Sequence, residues 1–244
     1  MAEKIRLDQI LVQRGLAKSR EKAKAVIMAG LVEVNGQTVD KAGRLISPSA
    51  AVNLREGAPP YVSRGGQKIE AAIDHFGIHV EGRVMLDVGA STGGFTDCLL
   101  KHGASRVIAV DVGYGQLDWK LRTDKRVRVL ERTNIRHLGP QDLKEQAHGA
   151  VIDVSFISLR LVLPAVSRLL VKHAFVVPLI KPQFEVGKGQ VGKGGVVRDP
   201  ELHRKVIEDL SGFFMNTGWQ VGGHIPSPLL GPKGNREFLM YLSR

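Results

Sequence analysis

The sequence is short of cysteine and has no long apolar run. The single cysteine, Cys98, excludes an internal disulfide and is compatible with a reducing compartment. The clearest apolar run in the second half of the chain, 174–180, is far shorter than the roughly 20 residues that span a bilayer. The opening residues, MAEKIRLDQI, do not have the pattern of a signal peptide. We therefore expect a cytoplasmic protein that has no membrane partner.

Acidic residues are also in short supply. The chain has 35 Lys and Arg against 24 Asp and Glu, a net charge of +11. Such an excess favours a polyanionic partner, most simply nucleic acid. Charge that serves only solubility is the alternative. With 43% hydrophobic residues and a length of 244, the chain can bury a core in one large domain or in a medium and a small one.

Two phosphate-binding signatures are missing. The sequence contains no G-x-x-x-x-G-K-[ST], which makes a P-loop unlikely, and the turn GASTGG at 89–94 has Ser91 where a dinucleotide fingerprint has its middle glycine. The stretch 84–113 still predicts a strand, a Gly-rich turn, a helix and a second strand that ends at Asp111. This is the first βαβ unit of a nucleotide-binding α/β sheet.

The chemistry of this turn fits S-adenosylmethionine better than a phosphate-bearing nucleotide. Asp111 could accept hydrogen bonds from both ribose hydroxyls of a cofactor, and Asp87 would place a carboxylate near its positive end. The glycines let the backbone approach a ligand without an intervening Cβ. A different nucleotide, or a turn that binds nothing, remain the alternatives.

The rest of this half predicts a doubly wound sheet. Seven strands with a final antiparallel pair are typical of methyltransferases, a Rossmann-like α/β fold. After the βαβ unit we predict strands at 126–130, 150–154, 174–180, 219–224 and 237–242, and helices at 158–170 and 199–215. Residues 61–244 are expected to form this domain, with a helix from the SRGGQK segment to Phe76 before its first strand.

Residues 1–60 predict a separate small α+β module. Apolar spacing from Leu7 to Leu11 favours a helix, Ser19 is placed to cap a second helix, and Asn35-Gly36 is typical of a tight hairpin turn. Segment 4–24 holds seven basic and two acidic side chains, a net +5. Such a cluster suits the phosphate backbone of structured RNA, and a solvated basic face is the alternative.

Two charged residues stand directly after apolar strands. Asp153 follows AVI and Lys181 follows AFVVPLI, so both side chains should emerge at the carboxyl edge of the sheet, where ligands of open α/β sheets bind. A lysine in that position is unusual for a simple surface charge, although a surface lysine that extends its ammonium into water is the alternative.

The run 5–39, IRLDQILVQRGLAKSREKAKAVIMAGLVEVNGQTV, resembles the S-four-like RNA-binding domain, first known from a ribosomal protein of the small subunit. That domain binds RNA and performs no chemistry. The resemblance implies an RNA face made of Arg6, Arg14, Ser19, Arg20 and Lys24.

Almost the whole chain resembles the TlyA, or haemolysin A, family of ribosomal RNA 2′-O-methyltransferases. The segments that carry the resemblance include SRGGQK, DVGASTGGFTD, DVGYGQL, IDVSFISL, LIKPQFE and REFLMYL. The second half is also similar to FtsJ-type RNA ribose methyltransferases, which have a Lys-Asp-Lys-Glu tetrad. The resemblance implies the tetrad Lys68, Asp153, Lys181 and Glu237. With the βαβ pattern, it implies a cofactor site made of Asp87, Gly89, Ser91, Gly93, Phe95, Asp111 and Asn134.

These residue types suit methyl transfer to a ribose. A 2′-hydroxyl is a very weak acid, so a base must take its proton as the oxygen attacks the sulfonium methyl. We expect Lys181 to be this base, because a second lysine and partial desolvation both disfavour an ammonium. Lys68 would steady the attacking oxygen, while Asp153 and Glu237 orient the lysines. No metal is expected.

Two further expectations concern partners. The Gly- and Lys-rich stretch 183–198 predicts a mobile basic loop that could hold RNA phosphates through Lys188, Lys193 and Arg198, and a merely soluble loop is equally compatible. The family resemblance implies ribosomal RNA or ribosomal subunits as partner, with cytidine as the modified nucleotide. A catalytically silent RNA-binding protein and a membrane-lytic haemolysin are the alternative functions.

Overall fold

The computed structural model describes residues 4–28, 30–55, 60–187 and 189–244. The chain divides into two compact units, Met1–Gly65 and Gly66–Arg244. Within the described residues, none of the helices combines the length and the apolar character needed to cross a membrane.

The first unit is the small α+β module that the sequence predicts. Its described elements are β1 (Ile5–Arg6), α1 (Leu7–Gln13), α2 (Arg20–Met28), β2 (Val32–Val34), β3 (Gln37–Thr38), β4 (Leu45–Ile46) and β5 (Val52–Leu54). Strand β1 pairs with β4, while β2 lies between β3 and β5 in an antiparallel sheet. The apolar faces of α1 and α2 pack on these strands around a core that includes Leu7, Leu11 and Ile27, all with no exposed surface.

Two local predictions for this unit are confirmed. The Ser19 hydroxyl accepts a hydrogen bond from the Lys22 amide at 3.2 Å, which satisfies a free N–H of the first turn of α2. Asn35 and Gly36 both have positive φ, 51° and 76°, and join β2 to β3. A two-residue hairpin turn with that backbone twist matches the twist of the strands it connects.

The second unit is built on a seven-stranded sheet. Its strands are β6 (Val84–Val88), β7 (Arg106–Val110), β8 (Val127–Leu130), β9 (Ala147–Ile152), β10 (Leu170–Ile180), β11 (Gln220–Pro226) and β12 (Phe238–Ser243). They lie in the order β11-β12-β10-β9-β6-β7-β8, and β12 runs antiparallel to both of its neighbours. The predicted fold is confirmed: a mostly parallel doubly wound sheet that ends in an antiparallel pair.

The helices of this unit are α3 (Gly65–Phe76), α4 (Gly94–Lys101), α5 (Trp119–Arg122), α6 (Leu159–Ser167) and α7 (Pro200–Asn216). Helix α7 begins as predicted, with the Asp199 carboxylate accepting a hydrogen bond from the Glu201 amide at 2.9 Å and Pro200 at the first helical position. Leu163 and Val166 of α6, and Leu210 and Phe214 of α7, pack into the main core cluster together with sheet residues.

The boundary between α6 and β10 differs from the prediction. The apolar spacing at 158–170 suggested a helix to Leu170, but α6 ends at Ser167 and Leu170 already pairs with Ala147 of β9. A buried leucine satisfies the spacing rule in either structure, so tertiary pairing decides. The short helix α5 was not predicted. Its cap is the Asp118 carboxylate, which accepts from the Lys120 amide at 2.8 Å.

Candidate active site

The carboxyl ends of the central parallel strands meet at one edge of the sheet. Val88, the last residue of β6, is in register with Val110 of β7 and with Ile152 of β9, and Ile152 in turn lies beside Pro178 of β10. The residues that follow these strands therefore come together at this edge. They include Gly89, Asp111, Asp153 and Lys181, all of which the sequence proposed for the site.

The turn after β6 needs glycine at its first position. Gly89 has φ of +86°, and a Cβ there would collide with the backbone carbonyl of Asp153. The Asp153 amide donates to the Val88 carbonyl at 2.8 Å, which holds the ends of β9 and β6 together. Ser91 takes a left-handed backbone conformation without being glycine, with φ of 48°. Its amide then points at the Asp111 carboxylate, 2.8 Å away.

A cavity of about 550 Å³ opens at this edge, within the size range of small-molecule sites. Its described lining comprises Val88, Gly89, Ser91, Val110, Asp111, Val112, Gln116, Thr133, Asn134, Ile135, Arg136, Asp153, Val154, Ser155, Phe156, Ile157 and Val162. Four of the proposed cofactor residues are among them: Gly89, Ser91, Asp111 and Asn134. The structure thus brings these four together around one cleft.

Two of the polar lining residues are held rigidly. Both oxygens of the Asp111 carboxylate accept backbone amides, one from Ser91 at 2.8 Å and one from Gly113 at 2.6 Å. The side-chain oxygen of Asn134 accepts from the Arg136 amide at 3.1 Å and caps a short helical turn. A carboxylate fixed in this way needs little reorganisation to receive further donors from a ligand.

Asp87, Gly93 and Phe95 were proposed as cofactor residues, but they lie behind the lining. The Asp87 side chain is fully buried and accepts a hydrogen bond from the Thr96 hydroxyl at 2.6 Å. Its burial raises the pKa of Asp87 to about 7. Phe95 is buried as well, and a Cβ on Gly93 would run into the side chains of Leu117 and Leu121. These residues shape the turn through packing.

The proposed tetrad forms two ion pairs. Lys68 Nζ lies 2.6 Å from Glu237 Oε2, with the Glu237 side chain fully buried and that of Lys68 13% exposed. Lys181 Nζ lies 2.5 Å from Asp153 Oδ1 and donates to the Ser155 hydroxyl at 3.0 Å. The Lys181 side chain is 10% exposed and that of Asp153 is 24% exposed. Both lysines are thus largely withdrawn from water.

Sheet register brings the two pairs to the same edge. Ile180 at the end of β10 is in register with Phe238 at the start of the antiparallel β12. Lys181 follows the first and Glu237 precedes the second, so these two residues are neighbours across the strands. All four tetrad residues are therefore linked through Glu237 and Lys181. Positions 68 and 237 are far apart in sequence, and only the fold connects them.

Gly231 gives the Glu237 carboxylate its space. A Cβ on Gly231 would collide with Glu237 Oε1, an oxygen that is buried and has no hydrogen-bond partner among the described residues. Gly231 has φ of −73°, which any residue can adopt, so only this contact calls for glycine. No sequence pattern indicated this role of Gly231.

A carboxylate after Lys181 anchors the turn that carries it. Glu185 accepts from the Ser158 hydroxyl at 2.6 Å and from the Leu159 amide at 2.8 Å, at the first turn of α6. Burial raises the pKa of Glu185 above its ordinary value. The turn 181–185 is therefore tied to the loop that carries Asp153 and Ser155. Ser155 and Glu185 were not predicted from the sequence, although both lie in segments that carry the family resemblance, IDVSFISL and LIKPQFE.

An exposed aromatic ring stands at the rim of the cavity. Phe156 has a positive φ of 64° and is 90% exposed, and its ring centroid lies 5.0 Å from that of Phe184. The two neighbouring rings form a small apolar patch beside the cavity, which Phe156 also lines. Neither ring was predicted from the sequence to belong to the site.

The basic residues proposed for RNA binding have different surroundings. Arg6 and Arg20 bond to the carboxylate of Asp8, and Arg14 donates to the carbonyls of Ala50 and Pro48 at 2.9 and 2.6 Å. Ser19 caps α2, and Lys24 is exposed on the same helix.

The second basic segment is more ordered than a mobile loop. Lys193 and Arg198 are exposed, and Lys188 lies outside the described residues. Val196 and Val197 between them are buried, and the Val197 amide donates to the Asn235 side chain at 3.1 Å. The expectation of a mobile loop is therefore wrong for residues 196 and 197, because they pack and bond like core positions.

A seven-stranded sheet with a cavity at its carboxyl edge, together with a small α+β module, is typical of a methyltransferase that carries an RNA-binding domain. Residues 61–244 match the model of the FtsJ-like methyltransferase family, and residues 5–52 match that of the S4 domain. The chain belongs to the FtsJ-like methyltransferases, carries an S4 domain as well, and is similar over nearly its whole length to TlyA and haemolysin A proteins.

Three relatives show how far the similarity extends. The "16S/23S rRNA (cytidine-2'-O)-methyltransferase TlyA" of Mycobacterium tuberculosis is 48% identical over 243 residues, covering 99% of this chain and 91% of that protein. "Hemolysin A" of Brachyspira hyodysenteriae is 41% identical over 238 residues, with 97% and 99% covered. A solved structure of a hemolysin-named protein from Streptococcus thermophilus has a TM-score of 0.79 at 46% identity, covering 100% of this chain and 90% of that one.

Proposed function

We propose that this protein transfers a methyl group from S-adenosylmethionine to the 2′-hydroxyl of a ribose, in a cytidine of ribosomal RNA. The observation that carries the proposal is that sheet register brings two lysine–carboxylate pairs, Lys68–Glu237 and Lys181–Asp153, to the edge of the sheet where the cavity opens. The name of the M. tuberculosis relative supports the choice of ribosomal RNA and cytidine. Such a substrate implies a cytoplasmic location and ribosomal subunits as partners.

The cavity fits S-adenosylmethionine better than a cofactor with phosphates. Arg136 is the one cation among the described residues that line it, whereas a pyrophosphate calls for more positive charge or a helix N-terminus. Gly89 lines the cavity and lets the backbone of Asp153 pack closely beside it, and the fixed Asp111 carboxylate can accept from ribose hydroxyls. Ser91 and Asn134 would bind there as well. Asp87, Gly93 and Phe95 would support this site from behind.

The tetrad supplies the proton chemistry. S-adenosylmethionine, when bound, provides an electrophilic methyl group on sulfur. Lys181 Nζ, after giving up one proton of its ammonium to solvent, would take the proton of the 2′-hydroxyl while the oxygen forms its bond to the methyl carbon and the carbon–sulfur bond breaks. Asp153 and Ser155 hold this nitrogen in place. Lys68, held by Glu237, would stabilise the charge that develops on the attacking oxygen.

RNA would be bound mainly by basic side chains that do not belong to the proposed tetrad or cofactor site. Arg6, Arg14, Ser19, Arg20 and Lys24 of the 1–60 domain, together with Lys188, Lys193 and Arg198 of the 61–244 domain, are the proposed contacts. Phosphate contacts by Lys and Arg release counterions, so the binding they give weakens steeply with salt. Removal of residues 1–60 should accordingly lower RNA affinity and reduce its salt dependence. Unchanged affinity would refute the docking role.

A transfer assay tests the catalytic proposal. Purified protein with labelled S-adenosylmethionine should label ribosomal RNA, and Lys181→Ala should lower the rate by at least about 100-fold, the usual contribution of a positioned base. Cofactor binding, measured by calorimetry, should stay nearly unchanged. Lys172→Ala is the matched control, because Lys172 lies exposed on the same strand β10. Full activity of the Lys181 variant would show that the base is another residue.

The haemolysin name of one relative invites a lytic function as the second candidate. No helix in the described part of the chain could span a bilayer. We expect purified protein to release no dye from liposomes. Leakage at micromolar protein would favour the lytic function over the enzymatic one.

A further inference from the structure

We propose that Asp8 is a positioning residue for RNA recognition: it holds Arg6 and Arg20 side by side, so that their two guanidinium groups form one preorganised site for RNA phosphates. The inference rests on the proposed RNA-docking function of the N-terminal module. It assigns a role to an acidic residue in a surface that otherwise attracts polyanions by positive charge.

Asp8 is buried while the arginines that it binds are not. The Asp8 side chain has 0% exposure, whereas the side chains of Arg6 and Arg20 are 41% and 51% exposed. Buried acids are rare unless they are paired. Here the pairing turns N–H groups of each guanidinium toward the Asp8 carboxylate, while both arginine side chains stay partly exposed to solvent.

The hydrogen bonds fix the directions of both arginines. Oδ1 of Asp8 accepts from Arg6 Nε and Oδ2 from Arg6 Nη2, each at 3.0 Å, which is the two-pronged geometry that planar guanidinium groups favour. Oδ2 also accepts from Arg20 Nη2 at 3.0 Å. Nη1 of both arginines takes no part in these bonds and can donate to a ligand.

The backbone supports this arrangement from two segments. Asp8 lies in the first turn of α1 and its amide donates to the Ala42 carbonyl at 3.1 Å, while Arg20 begins α2. A single carboxylate therefore ties the starts of two helices together. Hydrogen bonds from Arg6 above all, with help from Arg20, lower the pKa of Asp8 to about 2, so the carboxylate stays charged at neutral pH.

The ligand class follows from the charges. Two guanidinium groups on one carboxylate leave a net single positive charge with several donors that point away from the core, which suits a phosphodiester. An isolated arginine would have to lose side-chain freedom on binding, at a cost in affinity. Arginines already held by Asp8 have lost most of that freedom.

Replacing Asp8 distinguishes a positioning role of its carboxylate from a general electrostatic attraction between the protein and RNA. Asp8→Asn makes the chain more positive by one charge, so attraction alone predicts tighter RNA binding, whereas positioning predicts weaker binding. Glu21→Gln is the matched control. Glu21 is exposed on α2, next to Arg20 in sequence, and its substitution changes the net charge equally.

Binding would be measured by filter retention of full-length protein on purified 16S and 23S rRNA from 50 to 200 mM salt. We expect Asp8→Asn to bind at least about tenfold more weakly, with a salt slope reduced by about one to two, while Glu21→Gln binds as well as or better than wild type. In the transfer assay, the Asp8 variant should raise KM for RNA and leave kcat unchanged. Equal or tighter binding by a folded Asp8→Asn variant would overturn the inference.

If Asp8→Asn unfolds the N-terminal module, a second variant, Arg20→Lys, tests the proposal instead. Arg20→Lys retains the charge and leaves the bond pair between Asp8 and Arg6 intact, but it loses the planar fork. Positioning predicts severalfold weaker RNA binding by this variant, and wild-type binding would refute it. If wild-type protein itself shows no salt-dependent RNA binding, the docking function fails and not the role of Asp8 alone.

Discussion

Both units of this protein bury carboxylates against basic side chains, but the basic side chains are exposed to different extents. In the N-terminal unit the acid is buried and the arginines reach solvent, as with Asp8 beneath Arg6 and Arg20. In the catalytic unit the lysines are withdrawn as well, as in the Lys68–Glu237 pair. An exposed cation is available to a polyanion in solvent, whereas a lysine shielded from water is the kind of group that the proposed proton transfer requires.

The largest expected effect, on both stability and methyl transfer, comes from breaking the buried ion pair Lys68–Glu237. Removing one partner of a buried ion pair leaves an uncompensated charge and costs about 3–5 kcal/mol. Lys68→Met and Glu237→Gln should each show such a loss in urea unfolding, together with a drop in methyl transfer of about 100-fold or more. The double variant should recover much of the stability and none of the activity. Strictly additive losses would show that the pair is not coupled.

The stability of the catalytic unit should depend on pH through Asp87. The folded pKa of Asp87 is about 7 against an ordinary 3.8, so the folded state alone binds this proton between those values. The free energy of unfolding should therefore fall as pH rises from about 4 to about 7, by on the order of 4 kcal/mol. Both tryptophans, Trp119 and Trp219, lie in this unit, and their fluorescence reports its unfolding alone.

The control for this measurement is a pair of variants. Asp87→Asn should remove the decline, because an amide does not titrate. Asp209→Asn, on the exposed face of α7, should keep it. A wild-type stability that is flat from pH 4 to 7 would contradict the assigned shift.

The N-terminal unit should respond to pH with the opposite sign. The pKa of Asp8 is lowered to about 2 in the folded state, so the unfolded state binds the proton first as the pH falls. The stability of this unit is then complete above about pH 4 and is lost as pH falls toward 2. Amide hydrogen exchange at the buried Ile10 and Leu11 measures it. Protection that does not change between pH 4 and pH 2 would contradict the prediction.

The smallest effect concerns the space beside Glu237. Gly231→Ala should push the Glu237 carboxylate away from Lys68 and lower methyl transfer about tenfold, a cost near 1.4 kcal/mol. Gly212→Ala, in the middle of α7 with open space around it, is the control. That change should leave activity intact and stabilise the helix by about 0.5–1 kcal/mol. Equal activity of the two variants would mean that Glu237 tolerates displacement.

Sequence patterns predicted the parts of this molecule that depend on local periodicity. Alternation and apolar runs located the strands from Val84–Val88 onward, and helix caps such as Asp199 were visible as single residues before a helical pattern. The ends of strands then indicated Asp111, Asp153 and Lys181. A resemblance was needed for Lys68 and Glu237, since no spacing rule links positions on α3 and β12.

Features that depend on tertiary contacts could not be predicted from the sequence. Gly231 is required by a carboxylate that arrives from another part of its loop, and the start of β10 at Leu170 is decided by pairing with β9. The burial of Asp8 could not be predicted either, because an acid among seven basic residues has the same sequence pattern whether it faces solvent or the core. Sequence periodicity indicates which face of a helix or strand is buried, but it does not indicate which residues pack against that face.

The most direct test is to map alkali-resistant linkages in ribosomal RNA after incubation with purified protein and S-adenosylmethionine. A methylated 2′-oxygen cannot attack the neighbouring phosphate, so each modified ribose protects one linkage. Wild-type protein should protect linkages at cytidines, and Lys181→Ala should protect none. RNA that stays fully sensitive to alkali with wild-type protein that binds the cofactor would contradict ribose methylation and favour a catalytically silent RNA-binding protein.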